Sequence, residues 1–111
     1  MSNLERAKIL REYIFEEPDN PFNYYALALE IKDLDPNEAS KLFDFLLLQH
    51  PDYLPVYFPA ANFFFELGQI SKANDVFKKG IKLAEYLKET KTLLELKNSY
   101  QNFLFENDLE E

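Results

Sequence analysis

One pattern constrains this chain more than any other: a pair of helices that occurs twice at nearly the same offset. In the stretch from Leu54 to Ala84, Tyr57, Ala60, Ala61 and Phe64 recur at three- and four-residue spacing. That spacing puts them on one face of a helix. Gly68 then interrupts the pattern, and its freedom to take positive φ suits a helix C-terminus. Ser71 reads as the N-cap of a second helix, on which Ala73, Val76, Phe77, Gly80, Ile81 and Ala84 form a stripe. Ala60, Ala61, Ala73 and Gly80 fall where the two helices would cross, with Tyr57, Phe64 and Phe77 beside them. Small residues let two backbones approach, and the rings fill the remaining space. The same arrangement stands earlier in the chain. Tyr24, Leu27, Ala28 and Ile31 lie 33 residues before Tyr57, Ala60, Ala61 and Phe64, and Ala39 and Phe43 lie 34 before Ala73 and Phe77.

A helix pair repeating at about 34 residues resembles the tetratricopeptide repeat. That repeat's signature runs from an aromatic residue through Leu-Gly to Tyr, then Ala-x3-Phe, then Pro. The first copy offers Tyr24, Leu27, Ala28 and Ile31, then Ala39 and Phe43, then Pro51; the second offers Tyr57, Ala60, Ala61 and Phe64, then Ala73 and Phe77. The departures are substitutions of similar size, one residue fewer in the first corner, and no proline after the second copy. The resemblance covers about residues 20–87. It implies an all-α fold of antiparallel helix-turn-helix repeats in a right-handed superhelix, whose first helices line a concave, peptide-binding side.

The rest of the chain is read around these copies, as one domain with about six helices. Ser2 and Glu5 have capping-box spacing, and Leu4, Ala7, Leu10 and Ile14 stripe a helix over residues 1–17. Leu10 precedes Pro18 by eight residues, as Phe43 precedes Pro51, so this helix is expected to be the second half of a preceding repeat. The first copy occupies residues 20–53, with a helix over Pro21 to Leu34, and Asp35-Pro36 begins its second helix. The second copy occupies residues 54–87; Pro59 predicts a late start or a kink in its first helix. A break near Lys88-Glu89-Thr90 precedes a capping helix over residues 90–106, running about Thr92 to Phe105 with Leu93, Leu96, Tyr100 and Leu104 facing inward. Residues 107–111 form a frayed acidic tail.

Composition narrows the functional classes. The net charge of −8 disfavours nucleic acid and anionic membrane as partners. There is no cysteine, so no disulfide or thiolate metal site can form. The first residues carry charges throughout, no apolar run suits a membrane helix, and the cytoplasm is the expected compartment. His50 is the only histidine, next to Pro51 at a helix end, where a capping role is expected. With two glycines, Gly68 and Gly80, there is no phosphate loop, and no serine has a histidine partner. No catalytic residue, cofactor or metal is expected.

The rings carry what remains. The chain holds 11 Phe and 7 Tyr among 111 residues, so some must lie near the surface. With the core positions setting the helix rotation, the inward face of the first copy is Phe22, Tyr25, Leu29 and Lys32. In the second copy it is Pro55, Phe58, Asn62, Phe65 and Glu66. Exposed apolar patches mark interaction sites. The expected function is therefore non-catalytic binding of a protein or peptide segment, apolar or basic, with Asn62 bonding its backbone as the resemblance implies. Two alternatives stand beside it. The last helix covers this face, so that the rings are core, or the protein self-associates as a homo-oligomeric structural module.

Overall fold

The computed structural model describes residues 2–109. Among them are six α-helices and no strand: α1 (Asn3–Glu16), α2 (Pro21–Ile31), α3 (Pro36–Gln49), α4 (Tyr57–Glu66), α5 (Ile70–Leu87) and α6 (Thr90–Glu106). A single 3-10 turn, Leu54–Val56, precedes α4. The all-α helical repeat architecture is as the sequence pattern requires. The last two residues of the acidic tail lie outside the described residues. The chain forms two compact units, one extending through Val56 and the other beginning at Tyr57.

In the first unit α1 packs on α2, and α2 on α3. Ser2 caps α1 by accepting the Glu5 N–H at 3.2 Å, and Asp35 caps α3 by accepting the Glu38 N–H at 3.1 Å. Leu27, Ala28 and Ile31 of α2 are buried with Ala39, Phe43 and Leu46 of α3. Two expectations need correction. The second helix stops at Ile31, not Leu34: Asp35, non-helical ahead of Pro36 as the N-cap of α3, needs the chain to turn out of α2 before it. Residues 32–34 turn instead, and the Leu34 and Asp35 N–H groups both bond to the Ile31 carbonyl. Leu4 is 73% exposed. Ala7, Leu10 and Ile14 centre the inward stripe of α1, and Leu4 lies roughly 90° round the helix from it.

In the second unit α5 packs between α4 and α6. Tyr57, Ala60, Ala61 and Phe64 of α4 are buried, as are Ala73, Val76, Phe77, Gly80 and Ala84 of α5. Gly80 marks the point of closest approach: a Cβ there would stand 2.7 Å from the Tyr57 Cβ. Pro59 is the third residue of α4, within the opening turn where its missing N–H has no intrahelical partner to lose. The late start is therefore observed. Gly68 ends α4 at φ +78, with the Gly68 N–H on the Phe65 carbonyl and the Gln69 N–H on the Phe64 carbonyl. This turn hands over at once to α5, so Gln69, not Ser71, is the N-cap, and Ser71 lies inside the first turn. The expected break near residue 88 is present as a left-handed Lys88 at φ 60.

Candidate functional site

On α2, Pro21 occupies the first helical position, and Asn20 accepts the Phe22 N–H at 3.1 Å. This cap holds the turn that carries Phe22, whose ring is 55% exposed. One turn on, Tyr25 lies 6.5 Å from Phe22 between ring centroids, and 5.7 Å from Tyr53 in an edge arrangement. Tyr53 stands in the connection after α3, where its N–H bonds the His50 carbonyl at 3.0 Å. The three rings form one contiguous row. Burial raises the Tyr25 phenol above its ordinary value, and burial followed by the Tyr25 charge raises Tyr53. Both therefore remain neutral donors at neutral pH. Leu29 and Lys32 continue this side of α2, each half-buried. Tyr24 leaves in another direction, donating its hydroxyl to the Pro18 carbonyl at 2.7 Å, with its ring 4.6 Å from Phe45.

On α4 the corresponding positions meet the unit's own last helix. Pro55 is exposed in the 3-10 turn, and Phe58 is 39% exposed. Asn62 donates from Nδ2 to the Phe58 carbonyl at 2.9 Å and accepts the Ser99 hydroxyl of α6 on Oδ1 at 3.1 Å. Phe65 meets the buried Phe103 ring of α6 nearly at right angles, with centroids 5.0 Å apart. Glu66 is exposed at the end of the helix. The structure thus joins Asn62 and Phe65 to Ser99 and Phe103, and leaves Phe58 at the surface.

Sequence reasoning missed three residues here. Phe103 follows Leu96 and Tyr100 at helical spacing, so it was readable as a fifth inward position. Ser99 and Tyr53 carried no local signal. Elsewhere, His50 is the C-cap of α3, its backbone N–H on the Leu46 carbonyl at 2.8 Å, with its ring 6.0 Å from Phe45. Among the described residues no group of three or more His, Asp or Glu could hold a metal ion. Nor, among them, is any helix long and apolar enough to cross a membrane. The face offers rings, amides and a few charges.

Solved structures carry the same helical arrangement. A tetratricopeptide repeat domain protein from Salinibacter ruber, determined in solution by NMR, superimposes with a TM-score of 0.73 at 31% identity, over 78% of this chain and 89% of that one. This chain belongs to the tetratricopeptide repeat family. A crystal structure of a tetratricopeptide repeat domain protein from the same organism gives a TM-score of 0.70 at 30% identity, over 76% of this chain and 94% of that one. No family model matches the sequence, and no curated protein does. The tetratricopeptide fold is in general a protein-interaction module and typically a non-catalytic scaffold.

Proposed function

We propose that this tetratricopeptide protein is a non-catalytic adaptor whose exposed rings, carried by α2 in the first unit and by α4 in the second, each offer a contact for an apolar or basic protein segment. The observation that carries the reading is the row of Phe22, Tyr25 and Tyr53, continuous at 6.5 and 5.7 Å and open to water at Phe22. A large ring more than half exposed, backed by two others, offers apolar area at little conformational cost, since aromatic side chains have few torsions to lose. Phe58 offers a second exposed ring. Leu29 and Lys32 extend the α2 contact, and Glu66 supplies a carboxylate for a basic side chain. The net charge of −8 favours the same class of partner by attraction at a distance. Asn62 and Phe65 contribute less than the sequence implies, because α6 already occupies their polar and apolar valences.

The test is selection of a displayed random peptide library on the wild-type protein, followed by titration of a recovered peptide. Peptides rich in apolar and basic residues are expected. Phe22→Ser should weaken a peptide seated on α2, and Phe58→Ser one seated on α4, by about tenfold, equivalent to ~1.4 kcal/mol, with melting temperature nearly unchanged. Recovery of no peptide, or equal affinity in both variants, would refute the reading.

A further inference from the structure

Within the second unit, α5 and α6 leave a surface groove of about 290 Å³, lined by Lys78, Ile81, Lys82, Glu85, Lys97 and Tyr100. Its floor is apolar: Ile81 is half-buried, and the buried Tyr100 ring has its hydroxyl turned to Asn74 at 2.8 Å. Its rim is basic. Lys78, Lys82 and Lys97 are all exposed, and none of them makes an ion pair among the described residues. Three of the chain's 12 basic side chains thus gather at one groove of a protein with 20 acidic ones.

The first unit carries a surface of the opposite kind. On α1, Leu4 and Phe15 are 73% and 87% exposed. They are eleven residues apart, about three helical turns, so they share one side. Glu5, Glu12 and Glu16 flank them and make no ion pair among the described residues. Two basic residues share this side. Arg11 is held by both carboxylate oxygens of Glu38, at 2.7 and 2.9 Å, which leaves Lys8 as the one like charge against three carboxylates. Lys8, Arg11, Glu12 and Glu16 frame a shallow depression at Phe15. The side of α1 about a quarter turn round the helix, with buried Ala7, is the one spent on packing within its own unit.

We infer that the α5–α6 groove receives α1 of a second copy of this chain. Phe15 lies on the Ile81 and Tyr100 floor, while Glu12 and Glu16 meet Lys78 and Lys82. Both charged pairs are four residues apart on a helix. Their spacings along the axis are therefore equal, at about 6 Å, and two adjacent helices can form both ion pairs together. The contact is heterologous: each copy gives one helix and one groove. Heterologous contacts join copies head to tail, into a ring where the rotation closes and an open chain where it does not. The contact uses neither Phe22 nor Phe58 and is independent of the peptide-binding reading.

Sedimentation and light scattering of the full chain over about 0.01 to 1 mM, a range suited to a small contact, test the inference. The average mass should climb with concentration and fall back in about 0.5 M salt, where exposed charges are screened. Lys78→Glu/Lys82→Glu destroys the groove but keeps α1; Glu12→Lys/Glu16→Lys destroys α1 but keeps the groove. Each alone should stay monomeric, and their mixture should assemble again, because the native helix fits the native groove and the two reversed surfaces pair with each other. Phe15→Ser should weaken wild-type assembly at least tenfold with no change in charge. Circular dichroism confirms that each variant is helical. A wild type that remains monomeric throughout, variants that assemble like wild type, or folded variants whose mixture stays monomeric would each overturn the inference.

Discussion

The two units begin from the same sequence grammar and spend it differently. In the first, Tyr25 of α2 rests on Tyr53 from a loop, and Phe22 beside it stays open to solvent. In the second, the equivalent side of α4 is met by α6, which takes Phe65 against Phe103 and Asn62 against Ser99. The core registers differ as well. Gly80 admits Tyr57 so closely that the ring is 4% exposed. The residue 34 positions earlier is Leu46, fully buried, which leaves no comparable space, and Tyr24 lies only half-buried against Phe45. A repeated helix pair therefore specifies where rings stand on a helix. It does not specify whether they are left for a partner; that depends on which further helix the unit brings.

Substitutions can break or sharpen this contrast. The largest effect is expected at Phe103. Truncation to Ala empties a fully buried ring site and uncovers Phe65, at a cost of about 3–5 kcal/mol in chemical denaturation. A loss below ~1 kcal/mol would mean that α6 covers α4 only loosely, and that the two faces are alike after all. Next comes Gly80→Ala. Its new methyl would meet a Cβ, which cannot move without its backbone, so about 1–3 kcal/mol of destabilisation is expected. A neutral result would show that the close Tyr57 approach is not what distinguishes the second unit. Asn62→Ala should cost about 1 kcal/mol, because it removes the acceptor of the Ser99 hydroxyl. Phe22→Ser, on the open face, should stay within about 0.5 kcal/mol of wild type by the same measurement.

The smallest effect is an alkaline one in the first unit. Folding raises the Tyr25 and Tyr53 phenols, so their contribution is present below the ordinary phenol value and lost as pH rises through the folded one. Thermal stability should decline above about pH 10, and decline less in Tyr53→Phe. An identical pH profile in that variant would count against the burial of the pair.

Much of the fold was legible because its signals are local. Three- and four-residue spacing marked the buried Leu27, Ala28 and Ile31, and equally Ala60, Ala61 and Phe64. Asp35-Pro36 announced a cap, and Gly68 announced a positive φ. The errors fell where two local signals competed. Ser71 is a good cap residue, but the turn at Gly68 delivers the chain into α5 two residues sooner. Leu4 is apolar, yet its angle round α1 carries it away from Ala7. Of the candidate site, periodicity placed the rings on their helices and could go no further.

From the sequence alone came the helices, most of their ends, their buried stripes and the rotation that sets Phe22 with Tyr25 on one side of α2, and Phe58 with Phe65 on one side of α4. Each follows from backbone geometry within a few residues. Tertiary structure decided the fate of that side: Ser99 lies 37 residues from Asn62, and Phe103 lies 38 from Phe65. Contacts between residues so distant in the chain arise only when α6 packs against its neighbours, and no spacing within a single helix encodes which ring it will cover.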